Sequence, residues 1–154
     1  MIFEGFLAAI HPVNIFNALF GTALGIIMGA IPGIGSSMTM ALLLPFTFWM
    51  PADGALILLG SVYCGATYGG SISAILLNTP GTPASTATAF DGYPMAQQGR
   101  GMEAIGIAAM ASFVGGTAGL LLLFFLSPPL AEISLKFGPA ELFLLTLFTF
   151  IIIS

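Results

Sequence analysis

Asn78-Thr79-Pro80-Gly81-Thr82-Pro83-Ala84-Ser85-Thr86-Ala87-Thr88 interrupts a long apolar segment and stays uncharged until Asp91. Proline and glycine this close together break a helix, and the break falls inside apolar sequence. Thr82 followed by Pro83 is a helix-start signal: the hydroxyl caps a free amide, and proline at the first helical position gives up an amide that had no partner. An earlier segment repeats the pattern. After Ile31 come Pro32-Gly33-Ile34-Gly35-Ser36-Ser37, then apolar positions 38–44 before Pro45. Ser36 or Ser37 is expected to cap the short helix that follows, a piece of about 11 Å that cannot cross a bilayer alone.

The sequence around these breaks leaves no choice of solvent. Of 154 residues, 58% are hydrophobic and 5% charged, against about 25% charged in soluble domains. The charges are Glu4, Asp53, Asp91, Arg100, Glu103, Glu132, Lys136 and Glu141, which leaves 5–52, 54–90 and 104–131 uncharged. Each stretch exceeds the about 20 apolar residues that span a bilayer. The fold class is therefore an all-α, multi-span membrane protein with discontinuous or re-entrant helices. Soluble enzymes and disordered tails are excluded, and so is nucleic-acid binding, because two basic residues cannot neutralise a phosphate backbone.

Read as a single membrane domain, the chain divides as follows. Residues 1–12 place Phe3, Phe6, Leu7 and Ile10 at helical spacing, giving an interfacial helix that ends at His11 and Pro12. They lack a signal-peptide cleavage pattern, so this end is expected to be retained. The broken-helix region covers 15–90, with a first membrane helix over 15–31 and a longer one over 55–78. Residues 91–103 read as a polar loop. Residues 104–127 read as a full span of about 36 Å, ended by Pro128-Pro129. The last apolar segment, 140–154, is about 23 Å long and stops short of a core about 30 Å thick; the sequence is expected to be an amino-terminal fragment, or to be completed by a partner. Arg100 and Lys136 flank the full span on opposite sides, so the positive-inside rule assigns no orientation. Cys64 is alone and forms no internal disulfide.

Small residues recur at every fourth position. Gly21, Gly25, Gly29 and Gly33 form one strip, Ser61, Gly65, Gly69 and Ser73 a second, and Ala111, Gly115 and Gly119 a third. Such strips let helices approach at backbone distance, and helix packing is the reading favoured for each.

Irregular backbone at membrane depth is tolerated where protein buries it or where it lines a watery cavity. In secondary transporters, discontinuous helices aim their amino ends at anionic groups and their unwound carbonyls at sodium. The candidate substrate and ion site is therefore Pro32, Gly33, Gly35, Ser36, Ser37, Asn78, Thr79, Pro80, Gly81, Thr82 and Ser85. Carbonyls near Pro32 and Asn78 could face a sodium ion. No His or Lys lies in a span to activate a serine, so no enzyme, catalytic residue, cofactor or fixed metal is expected. A helix start stabilises an anion by about 0.3–1 kcal/mol, up to about 2, while desolvating an ion costs several kcal/mol. A multivalent carboxylate thus needs a co-bound cation, its own protons, or basic groups from elsewhere. Sodium is favoured over the proton as coupling ion, because no buried Asp or Glu is evident to relay protons. A structural alternative has the two breaks merely kinking helices, and a functional one has the chain act as a self-associating module through its glycine faces.

Three blocks carry a family resemblance: Gly29-Ala30-Ile31-Pro32-Gly33-Ile34-Gly35; Tyr68-Gly69-Gly70-Ser71-Ile72-Ser73-Ala74-Ile75-Leu76-Leu77-Asn78-Thr79-Pro80-Gly81; and Asp91-Gly92-Tyr93-Pro94-Met95-Ala96, closing at Gly99. In this order and spacing over residues 21–101 the chain resembles the large membrane subunit of the bacterial tripartite tricarboxylate transporters. The resemblance implies a cation-coupled importer of small carboxylates such as tricarboxylates in the bacterial cytoplasmic membrane. It also implies two partners, a small membrane subunit and a periplasmic solute-binding protein. The implied architecture is an inverted repeat with paired broken helices, of which this chain holds about one half. It places the substrate and ion site on Pro32 to Ser37 and Asn78 to Thr82.

Overall fold

The computed structural model describes residues 2–134 and 138–153, and Lys136, read above as flanking the full span, lies outside them. The described residues are helical with short connections, as an all-α membrane protein requires. The order is α1 (Ile2–Ile10), α2 (Pro12–Gly29), α3 (Gly35–Thr47), α4 (Ala52–Leu77), a single 3-10 turn (Pro83–Ser85), α5 (Thr86–Gln97), α6 (Gly101–Ser134) and α7 (Pro139–Ile153). Three of these, α2, α4 and α6, are long and apolar enough to cross a membrane.

Both interruptions fall at the proline-glycine corners, 30–34 and 78–82. Elsewhere the sequence reading overestimated how much proline and polarity break a helix. Helix α3 continues through Pro45 to Thr47, which makes it about 20 Å long, still short of a crossing. Residues 91–97, expected as loop, are the second half of α5, which runs through Pro94. Helix α6 passes Pro128 and Pro129 without ending. Proline removes one intrahelical hydrogen bond, and apolar surroundings favour keeping the remaining ones because no water replaces them.

Residues 1–112 form one compact unit and 113–154 a second. In the first, α2 packs on α4 more extensively than any other pair of helices. The first two glycine strips make this contact. Gly21, Gly25 and Gly29 are buried against α4, where a side chain at Gly25 would run into the Val62 carbonyl and Ala66 nitrogen. Gly65 and Gly69 answer from α4, pressed on the Thr22 and Ile26 carbonyls. Without a hydrophobic driving force between membrane helices, such close dispersion contact is what holds them together. Gly33 is not part of the strip: it lies in the corner at φ +94°, with open space around its α-carbon. The buried apolar side chains are few and mostly small, among them Val62, Ala66, Ala74 and Ile75 on α4. Ile75 seats α5, since Gly92 lies directly on its side chain.

In the second unit, Leu120 to Leu126 are all exposed, as is the third strip at Gly115 and Gly119, with nothing within 4 Å of an added side chain there.

Candidate functional site

The second corner starts where α4 ends at Leu77. Asn78 adopts the left-handed conformation, φ 54° and ψ 26°, and its N–H turns back to the Ser73 carbonyl. The Thr79 N–H reaches the same oxygen at 3.5 Å. Asparagine is among the few non-glycine residues that take this conformation readily. The chain then folds against α4. The Gly81 N–H donates to the Gly70 carbonyl at 3.3 Å, which also accepts from the Ser73 hydroxyl at 3.1 Å. Gly70 provides the notch for this return, because a β-carbon on it would lie 2.8 Å from the Thr82 hydroxyl.

Thr82, extended at φ −134°, precedes Pro83 at the start of the 3-10 turn, and it engages Ser85 in a capping arrangement. The Thr82 N–H donates to Ser85 Oγ at 3.2 Å, and the Ser85 hydroxyl donates to the Thr82 carbonyl at 2.8 Å. Both residues are buried. Their hydroxyls are occupied with each other, 3.3 Å apart, so in this conformation they serve the turn rather than a ligand.

The first corner is looser. Ala30 and Ile31 close the end of α2 with N–H bonds to the Ile26 and Met28 carbonyls, and Gly33 and Gly35 both take positive φ, +94° and +64°. At the start of α3 the sequence expectation fails: neither Ser36 nor Ser37 caps it. Ile34 occupies the cap position in a right-handed helical conformation, with no side-chain hydrogen bond. Both residues belong to the first turn of α3, Ser36 half-buried and Ser37 exposed. The amides of that turn have no intrahelical acceptor. The two helix starts are therefore unequal, one closed by Thr82 and Ser85 and one open at α3.

The fold brings the two corners together through their main chains. A β-carbon on Gly81 would collide with the Gly29 carbonyl, and one on Gly35 would stand 3.7 Å from the Gly81 carbonyl. Pro32 and Gly33 remain exposed at the outer edge. Asn78 and Pro80 line a groove of about 420 Å³ with Thr86, Phe90 and Tyr93. A further open groove of about 380 Å³ lies between α4, α5 and the start of α6, lined by buried Ser71, half-buried Thr88 and exposed Asp91 and Ser112 beside apolar groups. Neither is lined by residues of the first corner. This second groove escaped the sequence reading because Asp91 was assigned to a loop. Its helical offset from Thr88, three residues on one face, was the available signal. Among the described residues no three His, Cys, Asp or Glu side chains gather, so a cation here would rest mainly on neutral oxygens.

Residues 15–154 match the family model described as the tripartite tricarboxylate transporter TctA family. The chain is also 48% identical over 141 residues to an uncharacterised 52.8 kDa protein in the TAR-I ttuC' 3' region of Agrobacterium vitis. That match covers 92% of this chain and 28% of the relative, so the chain spans less than a third of that protein's length. No solved structure matches.

Proposed function

The chain belongs to the tripartite tricarboxylate transporter TctA family, and from that premise we propose that it forms part of the membrane subunit of a cation-coupled importer of small carboxylates, tricarboxylates among them. Its partners are a small membrane subunit and a periplasmic binding protein that delivers the substrate, and its place is the bacterial cytoplasmic membrane. The observation that carries the proposal is the uncapped start of α3 set against the main chain of the second corner. Its free first-turn amides and the Ser36 and Ser37 hydroxyls offer donors to a carboxylate, and the partial positive charge of the helix start favours an anion there. Asn78, held left-handed at the opposite corner, adds an amide. Dipoles supply about 0.3–1 kcal/mol, up to about 2, and desolvating each charge costs several kcal/mol. A co-bound cation is therefore integral to the proposal.

The test is uptake of radiolabelled citrate into proteoliposomes that contain the full-length subunit, its small membrane partner and the binding protein. Uptake driven by an inward sodium gradient is the expected result. Failure to take up citrate or any other carboxylate, under either a sodium or a proton gradient, would remove the proposal.

A further inference from the structure

Three bare aromatic side chains cluster where α3 turns into α4. Phe46 is 64% exposed, Phe48 78% and Trp49, the single tryptophan of the chain, 85%. Packing fixes the level of this turn in the bundle. A β-carbon on Gly54 would lie 3.2 Å from both Asn14 Oδ1 and Asn17 Nδ2 and 3.7 Å from Met50 Cε. The turn, the start of α4 and the start of α2 therefore share one end. Exposed His11 and Asp53 and half-buried Asn14 and Asn17 stand at that end too. Aromatic rings among charged and amide groups, just where two apolar spans begin, are the composition of a membrane–water interface. Tryptophan suits this layer because its ring is apolar and its N–H polar.

The opposite boundary is marked independently. Arg100 and Glu103 form an exposed ion pair at 2.6 Å around Gly101, and a β-carbon on Gly101 would lie 3.4 Å from the Leu76 side chain near the end of α4. Asp91 belongs to nearly the same level, since its neighbour Gly92 rests on Ile75. Between Asp53 and Leu76, α4 rises about 35 Å, or about 33 Å across a bilayer at the usual tilt of about 20°. That matches a hydrocarbon core about 30 Å thick with a margin for headgroups. Charges in a helical membrane protein avoid the core, and Asp53 on one side and Asp91, Arg100 and Glu103 on the other obey that spacing.

We propose that the turn between α3 and α4 is a membrane anchor, with Phe48 and Trp49 seated in the lipid headgroup layer. Helix α3 is then re-entrant: it returns the chain to the face from which α2 entered. The anchor also sets the depth of the two corners. Gly70, against which Gly81 folds, is about 26 Å along α4 from Asp53 and about 9 Å from Leu76. The corners therefore lie past the midplane, in the leaflet of Arg100 and Glu103. That substrate reaches them from this side rests on the transport function proposed above, but the anchor and the depth do not.

A bimane fluorophore on Trp49→Cys, in the full-length subunit with its other cysteines replaced by serine, tests the anchor in liposomes containing nitroxide lipids. Quenching by a headgroup nitroxide should exceed quenching by a nitroxide deep in the acyl chain by about twofold or more, as expected of a side chain in the headgroup layer. Bimane on Phe20→Cys, at an exposed position midway along α2, should show the reverse order. Stronger quenching by the deep nitroxide at position 49 would overturn the anchor, and so would the absence of quenching by any lipid, which would mean that protein or water covers the turn. If Trp49→Cys does not fold, Phe48→Cys carries the label. A membrane-impermeant maleimide should reach Asp53→Cys and Glu103→Cys from opposite sides of the membrane; labelling of both from one side would overturn the assigned boundaries. Citrate uptake is measured in parallel: uptake with position 49 outside the headgroup layer rejects the anchor and leaves the transporter standing. An anchored turn without uptake of any carboxylate does the reverse.

Discussion

Replacing Gly81 by alanine puts a methyl group where the two corners touch. Its β-carbon would run into the Gly29 carbonyl and lie 2.9 Å from Gly70 Cα and 3.0 Å from Ser73 Oγ. Two of these three neighbours are main chain, so no rotamer relieves the clash. The corners must separate by about 1 Å or more before the contact with the Gly29 carbonyl becomes ordinary, and overpacking of this kind costs about 1–3 kcal/mol. The same displacement stretches the Gly81 N–H bond to the Gly70 carbonyl, already 3.3 Å, and loses part of about 1 kcal/mol. The total is about 2–4 kcal/mol, a factor of roughly 30 or more in the ratio of folded to unfolded protein. Detergent-induced unfolding of the full-length protein, followed alongside citrate uptake, measures both consequences. Gly81→Ala should unfold at lower denaturing detergent and lose uptake. Gly106→Ala, at an α6 position with nothing within 4 Å, should be neutral or slightly stabilising, since alanine favours the helix by about 0.5–1 kcal/mol. Native stability and native uptake in Gly81→Ala would refute the reasoning, because the corners would then not be in contact.

Other substitutions separate packing from ligand binding. Gly25→Val drives a branched side chain into the Val62 carbonyl and Gly65 Cα and should part α2 from α4; size-exclusion profiles and protease sensitivity will show the loss of folded protein. Asn78→Gly keeps the left-handed corner and should leave the unfolding midpoint close to native while lowering citrate uptake. Asn78→Val, which is strained at φ 54° by about 1–2 kcal/mol, should lower both. The double substitution Ser36→Ala and Ser37→Ala should leave stability unchanged, because neither hydroxyl caps α3. It should weaken citrate uptake about tenfold or more, in keeping with hydrogen bonds to a charged group.

The sequence made the all-α membrane fold and both helix interruptions legible, because Pro32-Gly33 and Pro80-Gly81 remove amides and helical conformations within uncharged runs. Prolines without an adjacent glycine were a poorer guide. Pro45, Pro94 and Pro128-Pro129 all sit inside continuous helices, since each proline removes a single bond while the other residues keep theirs. The Thr82-Pro83 start was readable from local chemistry. The equivalent role for Ser36 or Ser37 was not, because Gly35 at φ +64° turns the chain into α3 without an extended cap residue. The pairing of Gly81 with Gly29 and Gly70 was invisible as well. It depends on α2 and α4 approaching in a register that brings residues distant in sequence together. The groove at Ser71 and Asp91 was hidden behind the assumption that a polar stretch ending in Gln97-Gln98-Gly99 is a loop.

Whether a carboxylate occupies the open start of α3 is best measured by substrate protection. Ser37→Cys is introduced into the full-length protein, and the rate of maleimide alkylation at that position is read by mass spectrometry with and without citrate and sodium. Citrate with sodium should slow alkylation at position 37 while leaving exposed Cys64 unaffected. Equal rates at position 37 under all conditions, in a protein that still transports citrate, would contradict the assignment of the substrate to this corner.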